Sequence, residues 1–198
     1  MIEAVLFDVD GVLVHSGKFG AQMARELGLS RDAMDRFWHG PFALCSLGAA
    51  DLKEQIAPFL REWGYRGSAE ECLRAWFEAD SALNHDVLDA VTRLRARGLP
   101  CHVVSTQERY RAEYLEGPMG LAERFDRFFF SCRLGVKKPQ PELYQRVTTE
   151  LALAPHALLL IDDQQANIDA ARAAGWQAEL YAFGDDLTPI WERHGILH

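Results

Sequence analysis

Five short apolar runs set the limits on how this chain folds. They are Ala4 to Phe7, Cys101 to Ser105, Phe128 to Ser131, Ala157 to Ile161 and Ala178 to Tyr181. Each is four or five residues long, a strand length rather than a helix length. Helical patterns separate the later runs. Asp86 to Arg97 repeats Val87, Leu88, Val91 and Leu94 and stops at Gly98; Pro141 to Leu153 follows a proline-rich turn; Gln164 to Ala174 is alanine-rich and ends at Gly175. Buried strands alternating with helices predict an α/β protein, a doubly wound Rossmann-like parallel sheet with helices on both faces. Its crossovers are expected to be right-handed.

The stretch from Gly17 to Ala82 breaks the alternation. Four helices are expected there, over Phe19 to Leu27, Arg31 to His39, Leu47 to Trp63 and Ala69 to Asp80, punctuated by Gly28, Gly40-Pro41 and Gly64. A helical insertion directly after the first strand reads as a cap over one end of the sheet. The expected division is a core of residues 1–16 and 83–198 and a cap of residues 17–82. Phe37, Trp38, Phe42, Trp63, Trp76 and Phe77 are expected mainly in the cap's own core. The turn Trp38 to Phe42 either joins that core or reaches a leaving group.

Composition narrows the partners. Lys and Arg number 21 and Asp and Glu 29 in 198 residues, a formal net charge of −8. With no basic run, that balance points away from nucleic acid, whose phosphates are held by Lys and Arg. No stretch reaches the roughly 20 apolar residues that cross a membrane, and no leader pattern is read at the N-terminus. Cys45, Cys72, Cys101 and Cys132 form no Cys-x-x-Cys pair, and Cys101 and Cys132 are expected as buried thiols. A cytoplasmic location is expected, and the oligomeric state is left open.

Open parallel sheets carry their sites at the carboxyl ends of the strands. Here the first run delivers Asp8 and Asp10 before Gly11, the second Ser105 and Thr106, and the fourth Asp162 and Asp163. The third is followed by Gly135-Val136-Lys137-Lys138-Pro139. Crowded carboxylates repel one another, and one of them stays protonated unless a cation intervenes. Oxygen ligands alone favour magnesium. A metal and a lysine would neutralise a phosphate while a hydroxyl holds its oxygens and a carboxylate attacks phosphorus. Taken singly, each position has a plainer reading. Ser105 would cap a helix, Lys137-Lys138 would be a solvated loop, and Asp162-Asp163 would favour a helix dipole.

Four segments resemble the haloacid dehalogenase superfamily of hydrolases with a helical cap. They are Phe7-Asp8-Val9-Asp10-Gly11-Val12-Leu13, Val103-Val104-Ser105-Thr106, Gly135 to Tyr144 and Leu160-Ile161-Asp162-Asp163-Gln164-Gln165-Ala166-Asn167. The pattern is most similar to the family's small phosphatases, such as the phosphatase domain of soluble epoxide hydrolase and the α-glucose-1-phosphatases. The resemblance implies a core strand order of 5-4-1-2-3 and magnesium-dependent hydrolysis of a small phosphorylated metabolite through an aspartyl-phosphate. It makes Asp8 the nucleophile and Asp10 the general acid/base, with the Asp10 backbone carbonyl also on the metal. Ser105 would hold the phosphoryl group, Lys138 would pair with both Asp8 and the phosphate, Asp8 would also ligate the metal, and Thr106 would shape the substrate pocket. Asp163 would ligate the metal, Asp162 would do so directly or through water, and Asn167 would support the acidic site or cap a helix. Relatives often carry Asn where Thr106 stands and Asp near His15, which here either contacts substrate or closes a turn. A sugar phosphomutase, a 2-haloacid dehalogenase and a non-catalytic binding protein on the same fold are the alternatives.

Overall fold

The computed structural model describes residues 1–196. Strand β1 (Ala4–Phe7) runs through a tight loop into β2 (Val14–His15). Five helices follow: α1 (Lys18–Leu27), α2 (Arg31–Trp38), α3 (Pro41–Cys45), α4 (Leu52–Glu62) and α5 (Ala69–Ala79). The chain returns through β3 (Ala82–Leu83) to α6 (His85–Ala96), β4 (Cys101–Ser105), α7 (Arg109–Glu116), β5 (Arg127–Phe130) and α8 (Ser131–Leu134). It closes with α9 (Pro141–Leu151), β6 (Leu158–Asp162), α10 (Gln165–Ala173), β7 (Gln177–Leu180) and α11 (Thr188–His194).

The main sheet has the order β5-β4-β1-β6-β7, with every pairing parallel. Counting its five strands alone and reading from the β7 edge, this is the expected order 5-4-1-2-3. β1 shows why its sequence is apolar throughout. Val5 and Phe7 point into one core with α6 and α11, while Ala4 and Leu6 point into another with α9 and α10. Successive side chains of a strand face opposite ways, so a central strand covered on both faces is apolar at every position. Each fully buried Leu or Phe is worth about 1.5–3 kcal/mol over exposure.

Helices α1–α5 enclose a third apolar cluster containing Phe19, Met23, Phe37, Ile56, Leu60 and Phe77. Trp38 and Phe42 join its aromatic network, their ring centroids 4.8 Å apart. The helical segment leaves and re-enters through the antiparallel pair β2–β3. Asp80 ties its two ends together. The start of α1 has only Gly17 at its cap, so Asp80 Oδ1 accepts from Lys18 N at 2.9 Å and Phe19 N at 3.3 Å, while Oδ2 accepts from Trp76 Nε1. Carboxylate oxygens satisfy the free N–H groups of a helix start well. Below the ribbon, Asn84 donates to Val12 O and Tyr181 Oη, fixing the return point to the sheet.

Local chemistry moves several element boundaries. The helix expected over Leu47 to Trp63 begins at Leu52, because Asp51 caps it with bonds from Lys53 N and Glu54 N and Gly48 holds a left-handed φ of 72°. Residues 41–45 form their own short helix, begun by Pro41. β5 ends at Phe130 rather than Ser131, since Ser131 opens α8. β6 runs one residue past the apolar run, because Asp162 still pairs in register with Leu180. Helices α7, α8 and α11 and the short strands β2 and β3 have no counterpart in the expected set. The α7 sequence is mostly polar, and it hides Arg111 together with Ala112 and Leu115. Among the described residues no helix is long and apolar enough to cross a membrane.

His102 in β4 is buried, and its Nδ1 has no hydrogen-bond partner among the described residues. Burial lowers its pKa below the ordinary histidine value; Asp126 opposes this and Arg127 adds to it. The unfolded chain therefore binds this proton more readily than the native one. The neutral ring's contribution is complete above the unfolded pKa near 6.5 and is lost as pH falls through the lower folded value. Urea denaturation of His102→Leu should show a shallower loss of stability between pH 7 and pH 5 than the wild type. Equal slopes would mean that His102 titrates alike in both states.

Candidate active site

β1, β4 and β6 are adjacent and parallel, so their carboxyl ends meet on one rim. Asp8 sits just beyond β1, where its N–H still donates to Ile161 O of β6 at 3.0 Å. The chain then folds tightly. Val9 O accepts from Val12, Leu13 and Val14 N–H groups, and Gly11 N donates to Val14 O. Gly11 is required twice over. Its φ is 83°, and a Cβ there would lie 2.3 Å from Asp163 Oδ2. The glycine thus brings the β1 loop onto the Asp163 carboxylate, a close approach only a residue without a side chain permits.

Lys138 enters from the loop after α8. Its Nζ lies 2.7 Å from Asp8 Oδ1 and 2.6 Å from Asp162 Oδ2. All three groups are shielded from water, with Asp8 5%, Lys138 6% and Asp162 0% exposed. Asp8 Oδ1 also accepts from Val9 N at 2.7 Å. The other oxygen of Asp162 accepts from Gln164 N and Asn167 Nδ2, both at 2.9 Å. Asn167 is in turn placed by helix α10, and its carbonyl accepts from the buried Tyr144 hydroxyl. The structure therefore puts the Asn167 amide on Asp162, where it supports the carboxylate while also lining the cavity. Removing one partner from a buried ionic group costs about 3–5 kcal/mol, so this trio is a structural element as well as a chemical one.

Ser105 ends β4 and is buried, and its Oγ accepts from Gln107 Nε2 at 3.1 Å. The same Gln107 nitrogen lies 2.6 Å from Asp10 Oδ2. Gln107 was invisible to sequence reasoning, since a glutamine in a loop carries no signal of its own. The adjacency of β1 and β4 is what brings it to Asp10. A cavity of about 250 Å³ opens onto Asp8, Asp10, Ser105, Thr106, Lys137 and Lys138. His15 lies in β2, exposed and paired with Ala82, its ring 5.0 Å from that of Phe183. His15 is not among the residues that line this cavity.

The electrostatics are unbalanced. Among the described residues the buried Lys138 ammonium contacts the carboxylates of Asp8 and Asp162, with Asp163 beside them. Burial pushes the Asp8 carboxyl up to about 7; Lys138 opposes the rise, and Asp162 and Asp10 add to it. Asp163 is raised as well, first by burial and then by Asp162. For Lys138 burial disfavours the charge, but Asp8 and Asp162 outweigh it and hold the pKa above the ordinary lysine value. Asp8, Asp162 and Asp163 each bring a carboxylate oxygen within 4.8 Å of the other two. An all-oxygen donor set with surplus negative charge fits a hard divalent cation such as magnesium. The Asp10 side chain is held by Gln107.

Comparison with known proteins agrees with this geometry. The protein CbbY of Cereibacter sphaeroides is 27% identical over 189 residues, spanning 88% of this chain and 82% of that protein. A phosphatase of Mycobacterium tuberculosis, MT3486, is 29% identical over 188 residues, spanning 90% of this chain and 87% of its own. Among solved structures, a haloacid dehalogenase family enzyme of Bacteroides thetaiotaomicron, in complex with magnesium and inorganic phosphate, shares the fold. Its TM-score is 0.81 at 18% identity, over 96% of this chain and 100% of that one. A family model described as haloacid dehalogenase-like hydrolase matches residues 2–175. A match running from Ile2 to Gly175, through every strand end that builds the site, makes this chain a member of the haloacid dehalogenase-like hydrolases.

Proposed function

We propose that this enzyme is a magnesium-dependent phosphatase acting on a small phosphomonoester through an aspartyl-phosphate on Asp8. The observation that carries the reading is the buried Lys138, bonded to both Asp8 and Asp162 at the edge of a cavity that also holds Asp10 and Ser105. Relatives named as phosphatases and a family enzyme solved with magnesium and phosphate support it.

The ion would be held by Asp8, Asp163, the Asp10 carbonyl and Asp162. The Asp162 oxygens already take three hydrogen bonds, which favours contact through water. Bound magnesium supplies positive charge against the phosphoryl oxygens and keeps Asp8 ionised at neutral pH. A carboxylate oxygen of Asp8 bonds to phosphorus as the bond to the leaving oxygen breaks, and Asp10 hands that oxygen its proton. Water then attacks phosphorus, gives its proton to Asp10, and phosphate departs with Asp8 restored. Lys138 neutralises charge on both the nucleophile and the transferring group. Ser105 Oγ accepts from Gln107, so its own hydrogen is free to meet a phosphoryl oxygen. Thr106, at the cavity wall, bounds the substrate. Residues 17–82 serve as a cap that excludes water from the reaction.

Purified protein with magnesium should hydrolyse p-nitrophenyl phosphate, and Asp8→Asn should lower turnover by about 10⁴-fold or more with an unchanged circular dichroism spectrum. Full activity in that variant would remove Asp8 from its role. Release of halide from a 2-haloacid without metal, or a strict need for a bisphosphate activator, would replace the phosphatase reading with the corresponding alternative. Asp163→Ala should raise the magnesium concentration for half-maximal activity by more than the roughly 10–100-fold that loss of a residue merely supporting a ligand costs. It should also weaken the magnesium-dependent rise in melting temperature. An unshifted metal titration would place the ion elsewhere.

A further inference from the structure

We propose that Gln107 is a positioning residue that orients both the Asp10 carboxylate and the Ser105 hydroxyl, and that the docked helical segment holds Gln107 in place through Ser131. This rests on the phosphatase reading and specifies how its proton donor is aimed.

The geometry is restrictive. Gln107 is buried, and its Nε2 carries two hydrogens. One points to Asp10 Oδ2 at 2.6 Å and the other to Ser105 Oγ at 3.1 Å. An ionised Asp10 only accepts, which matches the amide nitrogen facing Oδ2, and the same bond persists in the acid form when the proton sits on the other oxygen. With Oδ2 engaged, the second oxygen of Asp10 is the one left to carry the transferred proton. With its oxygen accepting from Gln107, Ser105 turns its hydrogen away from the amide. One side chain thereby sets the direction of two groups that meet the phosphoryl ester.

The backbone of Gln107 is anchored just as specifically. Its N–H donates to Ser131 Oγ at 3.0 Å, and its carbonyl accepts from Cys132 N. Ser131 is fully buried at the start of α8. Its hydroxyl in turn donates to Ser46 O at 2.5 Å, across from the helical segment. Gly48, two residues on, packs so closely that a Cβ would lie 2.1 Å from Cys132 O. A continuous polar chain thus runs Ser46–Ser131–Gln107–Asp10, from the segment between α3 and α4 to the proton donor. If that segment moved away, Ser131 Oγ would lose its Ser46 acceptor, and the Gln107 carbonyl at 3.3 Å is the alternative.

Misaligning the proton donor hurts most where the leaving oxygen most needs a proton. The test compares kcat/KM for p-nitrophenyl phosphate and for phenyl phosphate, whose leaving group is far more basic. Gln107→Met keeps the volume and removes both donors. It should lower kcat/KM about tenfold for the nitrophenyl ester and about a hundredfold for the phenyl ester, within the range of general acid catalysis, with KM for each little changed. Ser131→Ala should produce the same bias more weakly, and it carries the test if Gln107→Met does not fold. A parallel loss on both esters in a folded variant would overturn the positioning role and leave the phosphatase reading intact. No turnover by the wild type of either ester would overturn both.

Discussion

The ammonium of Lys138, wedged between Asp8 and Asp162, is the contact on which the rest of the site depends. Two carboxylates this deeply buried and this close would repel each other, and one would take up a proton. A single buried cation lets both sit at the ends of adjacent strands. Asn167 and the Gln164 N–H then fix Asp162 from behind. What faces the cavity is an Asp8 braced on one side and open on the other, with Asp163 pressed over Gly11 beside it. The arrangement still carries more negative than positive charge, a donor set that suits a divalent cation.

The helical segment is attached at both ends and docked in between. Asp80 closes its two ends on each other, and the β2–β3 pair and Asn84 bind its stem to the sheet. Arg111 of α7, buried under it, donates to the carbonyls of Phe77 and Asp80 and so closes the carboxyl end of α5. Farther along, Tyr110 and Arg109 reach Asp51, the residue that caps α4. The loop after β4 and the helix α7 that follows therefore do two things at once. They carry Ser105 and Gln107 into the site, and they hold the helical segment over the sheet.

Much of this was legible in the sequence, for a definite reason. The central strands are covered on both sides, so their apolar runs stand out, and β1 and β4 match the expected spans residue for residue. The site's acids and serine lie at or just past strand ends, where a parallel sheet gathers them, and Lys138 comes from the loop after α8. The less legible elements are those whose signals are not hydrophobic. Helix α7 is polar because it faces carbonyls and carboxylates as well as the core. The start of α4 is set by Asp51 and Gly48 rather than by periodicity. Asp80 gives no hint in sequence that it caps a helix that begins 62 residues earlier.

The sequence by itself determined the fold class, the five strands of the main sheet and the residue types at their ends, because burial periodicity and turn residues act over a few neighbouring positions. Only the tertiary structure decided which of those residues touch. It set Lys138 against both Asp8 and Asp162, gave Asn167 to Asp162, pressed Asp163 over Gly11, and placed Gln107 between Asp10 and Ser105. Several of those contacts join distant segments, as Gln107 does with Asp10 across 97 residues, and their partners are chosen by strand adjacency and by the need of buried charge for a partner, neither of which leaves a local mark in the chain.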